Sequence, residues 1–290
     1  MINTIQNDKL KISATSAGAE LLSVKSVADD CEFLWQGDPA FWGGRSPILF
    51  PIVGGLVDDE YELDGKIYKM QHHGFARKSD FELVAKSDSH LEYKLGFCEE
   101  TLRQYPYRFE FGIGYRLVGN SLIHGFTVKN LDDREMLFSL GAHPGFNCPF
   151  HPGEVMADYF LRFEEPEQLQ RRIKKDGLLS GEKLGFLDNA AEKTLGHDLF
   201  ANGAVILDSV KSNWVEIRNT QNSRAIRVEF TGFPYLGIWS ADNPAPFVCI
   251  EPWFGVDSTR GESYEFGRKE GLQRLAPGSV FHCEYSVIIQ

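Results

Sequence analysis

The sequence lacks any long apolar run, and no stretch approaches the roughly 18 residues that a membrane-spanning helix needs. Its first residues, Met1 to Asp8, contain neither a basic start nor an apolar segment, so no secretory signal is visible. We therefore expect a cytoplasmic protein that has no membrane partner.

Basic charge is also in short supply. The chain has 30 Lys and Arg residues against 41 Asp and Glu residues, which gives a formal net charge of −11. A protein with this balance repels phosphate backbones, so nucleic acid is not an expected partner.

Paired cysteines and the common cofactor motifs are missing. The five cysteines are an odd number and include no Cys-x-x-Cys pair, which predicts free thiols rather than disulfides or a zinc site. The sequence has no Gly-x-Gly-x-x-Gly, Walker, Gly-x-Ser-x-Gly or His-Glu-x-x-His motif. We expect no metal and no cofactor.

Helical periodicity is scarce, whereas glycine and aromatic residues are abundant, with 28 Gly, 22 Phe, 10 Tyr and 5 Trp. Short strand-like segments recur about every 8–12 residues, which is typical of an antiparallel sandwich or barrel. The helix candidates are one short turn at 99–103 and a weaker segment at 168–175, which has too few apolar residues to bury a face. Residues 177–202 are expected to be a polar excursion. We predict a single all-β domain over residues 1–290, with strands at 61–68 (a hairpin centred on Asp64-Gly65), 81–86, 91–95, 109–117, 122–128, 215–217, 226–230, 247–250 and 285–289.

Two polar segments lie in the first third of the chain. Arg45 is a lone cation beside an apolar strand, and it is either a surface residue or an anchor for a sugar hydroxyl or an anion. His72 and His73 would point to opposite faces of an extended chain, so only one of them is expected to enter a given site.

Two further segments place polar groups among apolar or small residues. Pro144 restricts His143 to extended geometry, and a rigid, uncrowded histidine suits a proton donor. Glu251 ends an apolar strand, where a carboxylate is costly unless it is paired or used chemically. Trp253 could pack on a pyranose face or belong to the core.

Taken together, these segments resemble the aldose 1-epimerase (galactose mutarotase) family, and most of all the branch that includes hexose-6-phosphate mutarotases. The matching pieces are Gly44-Arg45…Pro51, His73-Gly74-Phe75-Ala76-Arg77, Ala142-His143-Pro144 and Ile250-Glu251-Pro252-Trp253. The resemblance implies a large antiparallel β-sandwich of the galactose mutarotase-like type, with an aldose or sugar phosphate held in an open cleft.

The family's residue roles carry over onto the matching positions. The resemblance implies that His143 is the general acid for the ring oxygen and that Glu251 is the general base for the anomeric hydroxyl. It also implies that His73, Arg45 and Arg77 bind the substrate. A charged Glu251 would raise the pKa of His143 and favour its acid form.

The sequence departs from the family at one position. A substrate-binding Asp usual in the family is replaced by Gly203, for which Asn202 or Asp208 could substitute. A non-catalytic carbohydrate-binding protein is therefore the alternative, and a hydrolase using Glu251 with Asp257 or Glu262 is a weaker one. The expected assembly is a monomer or a homodimer.

Overall fold

A computed structural model describes all residues from 1 to 290. Strands dominate the chain, and no helix in it is long and apolar enough to span a bilayer. The helix α1 spans Glu99–Gln104, and single 3-10 turns lie at Val57–Asp59, Ala76–Lys78, Met156–Asp158, His197–Phe200 and Phe266–Arg268. The strands in chain order are β1 Ile2–Gln6, β2 Leu10–Thr15, β3 Leu21–Ser26, β4 Ile48–Leu49, β5 Glu60–Leu63, β6 Lys66–Lys69, β7 Glu82–Lys86, β8 His90–Gly96, β9 Phe109–Val118, β10 Ser121–Asn130, β11 Met136–Phe138, β12 Leu140–Ala142, β13 Gly145–Asn147, β14 Tyr159–Lys175, β15 Leu178–Thr194, β16 Val205–Asp208, β17 Trp214–Asn219, β18 Ala225–Glu229, β19 Tyr235–Trp239, β20 Phe247–Phe254, β21 Gln273–Leu275 and β22 Val280–Ile289.

Fifteen of these strands form one antiparallel sheet. Its order is β4-β12-β20-β19-β16-β14-β17-β18-β22-β10-β9-β8-β7, with β13 beside β20 and β15 beside β14. Phe50, which follows β4, stacks on Phe111 of β9 with ring centroids 4.3 Å apart, although these strands lie far apart in the sheet order. The two halves of the sheet therefore pack face to face over a core of 64 buried residues, and the predicted β-sandwich is confirmed.

The strands follow the residue patterns that predicted them. In β9 every odd position from Phe109 to Leu117 is buried, because alternate side chains of a strand point to the same face. Between β5 and β6, Asp64 and Gly65 have φ values of 52° and 73°, as a tight hairpin turn of this kind requires. The predicted strands overlap observed strands, and the short turn at 99–103 is α1.

The segment from 159 to 194 differs from the prediction. It is a hairpin of two seventeen-residue strands, β14 and β15, so the weak helix candidate at 168–175 is wrong. The excursion expected at 177–202 is strand as far as Thr194, and residues 195–202 lie outside any strand. The pairing shifts register several times, first between Arg162 and Glu167. Burial still alternates along β14, but polar side chains occupy inward positions, with Glu167 1% and Arg171 5% exposed, so the apolar pattern that indicates a strand is broken.

The tip of this hairpin folds onto the segment that follows β20. The amide of Leu179 donates to the Ser258 carbonyl at 3.0 Å, and the amide of Arg260 donates to the Leu179 carbonyl at 2.8 Å. These hydrogen bonds bring Lys174 next to the chain that leaves β20.

Candidate active site

An open cleft of about 870 Å³ lies where β20, β12, β13 and the long hairpin meet. Four of the five site residues predicted from the sequence line it, namely His73, Arg77, His143 and Glu251. Residues that are distant in sequence therefore converge on one solvent-accessible space.

Side chains point alternately to the two faces of β20, and this alternation determines which of them reach the cleft. Val248 and Ile250 belong to the main core, whereas Cys249, Glu251 and Trp253 lie on the opposite face of the strand. Glu251 is only 1% exposed, so its carboxyl group is almost completely removed from solvent.

The pairing register places His143 opposite Glu251. Gly141 of β12 pairs with Trp253, and Gly145 of β13 pairs with Cys249, so the corner that contains His143 faces the residue between those two positions. A Cβ atom on Gly141 would lie 2.5 Å from Trp253 Cδ1, and a glycine is therefore needed for this close approach. His143 Nε2 lies 3.3 Å from Glu251 Oε2.

Two indole rings hold the imidazole of His143. Trp42 stacks on it with ring centroids 4.9 Å apart, and Trp239 meets it edge-on at 5.5 Å. Nδ1 of His143 is buried and has no hydrogen-bond partner. The ring is therefore oriented by packing rather than by a hydrogen bond on its far nitrogen.

Burial controls the protonation of this pair. Desolvation lowers the pKa of His143 to about 3. Desolvation also raises the pKa of Glu251 well above its usual value, against the attraction of Lys174. The expectation that Glu251 would raise the pKa of His143 is wrong, because a low-dielectric site disfavours charge on either group. Burial therefore favours the neutral form of both groups.

His73 presents a fixed hydrogen-bond donor to the cleft. The amide of Gly54 donates to His73 Nδ1 at 3.0 Å, so the ring proton is on Nε2. Burial and the neighbouring His72 hold the pKa of His73 well below its ordinary value, and the ring is therefore neutral. It lies 5.8 Å from the His143 ring, centroid to centroid and nearly perpendicular to it.

His72 also lines the cleft, contrary to the expectation that only one of the two adjacent histidines enters a site. That expectation assumed an extended backbone, but His73 has a φ of 65°, which turns the chain. The two rings lie 3.8 Å apart, centroid to centroid.

A second buried carboxylate, Asp257, lines the cleft beside His72. It accepts hydrogen bonds from the Gly55 amide at 2.8 Å and from Lys174 Nζ at 2.7 Å, and His72 Nε2 lies 3.7 Å away. Burial alone would raise the pKa of Asp257, but contacts with His72 and Lys174 outweigh it and leave the pKa below its usual value. Asp257 is therefore a permanent anion.

The two predicted arginines occupy different places. Arg77 lines the cleft and donates from its guanidinium to the His72 carbonyl at 2.8 Å. Arg45 does not line the cleft, because its guanidinium donates to the Leu22 carbonyl at 3.1 Å. The backbone carbonyl of Arg45 instead accepts from the Gly145 amide at 2.8 Å and so supports the His143 corner.

The loop at Gly203 forms another wall of the cleft. Asn202 and Gly203 line it, whereas Asp208 lies outside it, with Lys183 Nζ 3.1 Å from its carboxylate. Of the two residues considered as substitutes for the family aspartate, only Asn202 therefore lies at the cleft.

Arg171 of β14 holds this loop. It is only 5% exposed, and its guanidinium donates to four backbone carbonyls, at distances of 2.8 to 3.3 Å. The acceptors are the carbonyls of Leu199, Asn202, Gly203 and Ala204. Arg171 and Lys174 were not indicated by the sequence, because β14 carries charged residues at inward positions and its apolar pattern is therefore broken.

The antiparallel β-sandwich has the fold of galactose mutarotase-like proteins of known structure. Residues 1–267 match the family model described as aldose 1-epimerase. The chain belongs to the aldose 1-epimerase family.

Known relatives cover nearly the whole chain. Protein LacX, chromosomal, from Lactococcus lactis subsp. lactis is 34% identical over 98% of this chain and 98% of its own length. Among solved structures, a galactose mutarotase related enzyme from Lactobacillus acidophilus is 35% identical with a TM-score of 0.96, covering 100% of this chain and 97% of that one. A galactose mutarotase-like protein from Lactobacillus casei ATCC 334 is 33% identical with a TM-score of 0.94, covering 100% of both chains.

Proposed function

We propose that the protein interconverts the α and β anomers of an aldohexose or a hexose 6-phosphate by acid–base opening and closure of the sugar ring. The observation that carries the proposal is the distance of 3.3 Å between His143 Nε2 and Glu251 Oε2 within a cleft that can admit a pyranose. An acid and a base that close together can act on the two oxygens of one anomeric carbon.

The shared proton of the pair prepares it for the reaction. When the sugar binds, its hydroxyl groups donate hydrogen bonds to the Glu251 carboxyl and stabilise the carboxylate form. The proton then moves from Glu251 to His143. Both arrangements have the same net charge, so this step requires no proton from solvent.

Ring opening then transfers two protons. Glu251 takes the proton from O1 while the C1–O1 bond becomes a carbonyl. At the same time His143 gives a proton to the ring oxygen, and the bond between the ring oxygen and C1 breaks. Rotation about C1–C2 presents the other carbonyl face, and the reverse transfers close the ring. Transfers of this kind each contribute about 10²–10⁴-fold to a rate.

The remaining cleft residues bind the sugar. His73 offers its Nε2 proton, and Arg77 offers guanidinium donors that suit hydroxyl or phosphate oxygens. Arg45 acts through its backbone, which holds the corner that carries His143.

Saturation-exchange NMR between anomers tests the proposal directly. We expect the protein to accelerate exchange of galactose, glucose or glucose 6-phosphate, measured side by side at equal concentration. Calorimetric binding without acceleration would instead indicate a non-catalytic carbohydrate-binding protein. Release of reducing sugar from a chromogenic glycoside would indicate a hydrolase.

A further inference from the structure

A free thiol lies against the acid–base pair. Cys249 precedes Glu251 by two residues on the same face of β20, and it is fully buried. One ligand atom each from His143, Cys249 and Glu251 lie within 4.8 Å of one another. We propose that these three residues form a site for a thiophilic divalent cation, such as Zn²⁺ or Cd²⁺, which competes with the sugar.

The separation of the ligand atoms suits a tetrahedral ion. Bonds of about 2.0 Å to nitrogen and oxygen place two tetrahedral ligands about 3.3 Å apart. His143 Nε2 and Glu251 Oε2 are already 3.3 Å apart. A zinc–sulfur bond of about 2.3 Å requires the sulfur to approach these atoms to about 3.5 Å, a shift within reach of a side-chain adjustment.

The set of donors selects the kind of cation. A nitrogen, a thiolate sulfur and a carboxylate oxygen together favour zinc-like ions over Mg²⁺ and Ca²⁺, which prefer oxygen ligands. Oε2 of Glu251 is buried and has no hydrogen-bond partner, so a cation would supply the contact that it lacks. The thiol proton of Cys249 and the shared proton of the pair leave to solvent when the cation binds.

Only three protein ligands surround this position, and the cleft supplies an open fourth one. A cation there would occupy both lone pairs that the ring-opening reaction uses. Coordination of the cation by the three residues does not depend on the proposed function. Inhibition of anomer exchange by the cation does rest on the proposed function.

Cadmium titration tests the coordination without any assay of activity. The titration is done in a Cys98→Ser background, because Cys98 is the exposed thiol. We expect a thiolate-to-cadmium absorption band in the ultraviolet that saturates at one ion per chain. The band should disappear in Cys249→Ser and persist in the matched control Cys148→Ser, which removes another buried thiol.

A band that persists in Cys249→Ser, or that is absent from the parent, would overturn the site. Cys249→Ala repeats the measurement if the serine variant does not fold. If neither variant folds, an unchanged cadmium affinity in both His143→Asn and Glu251→Gln overturns the site.

Inhibition provides a separate readout. We expect Zn²⁺, but not Mg²⁺, to slow anomer exchange competitively with the sugar. The inhibitory Zn²⁺ concentration should rise by more than about tenfold in Cys249→Ser, because one direct ligand is lost. Rates with and without Zn²⁺ are compared as ratios, so that a change in basal rate cancels. Cadmium binding without any exchange activity would contradict the proposed function and leave the cation site intact.

Discussion

Glu251 and Asp257 are two buried carboxyl groups in the same cleft, 1% and 2% exposed, yet their surroundings are opposite. Asp257 accepts hydrogen bonds from Gly55 and Lys174 and keeps its negative charge. Glu251 faces His143, but no donor is aligned with its Oε2 for a hydrogen bond. Satisfied hydrogen bonds thus fix Asp257 as an anion, whereas burial without them raises the pKa of Glu251.

Glu251→Gln gives the sharpest test of this contrast. The substitution removes the proton-transfer group while its shape is retained, so we expect kcat/KM for anomer exchange to fall by about 10²–10⁴-fold. Thermal unfolding should change little, because the amide has the same size and shape as the carboxyl group.

The matched control for this variant is Glu284→Gln, on an exposed position of β22, which should match the parent in both measurements. A folded Glu251→Gln variant with the parent rate would contradict the proposed role of Glu251.

Asp257→Asn should lower stability more, and activity less, than Glu251→Gln. It removes the anionic partner of Lys174, so we expect the free energy of unfolding to fall by about 1–3 kcal/mol, with the partial exposure of Lys174 limiting the effect. Activity should fall less than in Glu251→Gln. Urea unfolding and the NMR assay measure the two effects.

A double-mutant cycle of Asp257→Asn with Lys174→Met isolates the contribution of the Asp257–Lys174 ion pair to stability. If Asp257→Asn lost as much kcat as Glu251→Gln and kept its stability, Asp257 would also transfer protons and the contrast would fail.

Arg171→Lys tests the loop that forms one wall of the cleft and leaves His143 and Glu251 unchanged. Lysine keeps the charge but cannot reach four carbonyls at once, so the loop that carries Asn202 and Gly203 should lose its fixed position. We expect KM to rise by about tenfold, with a smaller change in kcat, because the acid–base pair is untouched.

Arg172→Lys is the control on the same strand, since Arg172 pairs with Glu270 and does not line the cleft. An equal rise in KM for both variants would indicate a general effect of β14 and not the positioning of the loop.

The pH dependence of kcat/KM should be the smallest effect. A second proton on the pair would block the reaction, and an ordinary histidine would take it up as the pH falls through about 6.5. The pKa of His143 is instead lowered to about 3. We therefore expect kcat/KM to change by less than about twofold between about pH 7 and about pH 5. An acid limb with a midpoint near the ordinary histidine value would show that His143 is not desolvated during turnover.

The sequence predicted the residues whose local pattern matches their position in the fold. His143 and Glu251 could be singled out because each lies in a distinctive short segment, and the sheet register brings these two segments together. Lys174 could not be found, since polar residues such as Glu167 and Arg171 occupy inward positions of β14 and break the apolar pattern that marks a strand. His72 was excluded by assuming an extended chain, which the left-handed backbone of His73 contradicts.

The side chain of Arg45 illustrates the opposite difficulty. Its segment matches the motif, but the motif does not specify the direction of a long, flexible side chain, and here the guanidinium binds the Leu22 carbonyl. Sequence patterns therefore identified the strands and the rigid corners better than they identified the contacts of long side chains.

The β14–β15 hairpin contributes Lys174 to the cleft, whereas the acid–base pair belongs to β20 and the β12–β13 corner. Lys174 therefore lies on a different strand from the elements that position His143 and Glu251. Under the proposed function, the hairpin would influence which sugar is preferred, and the elements that carry His143 and Glu251 would carry the proton transfers.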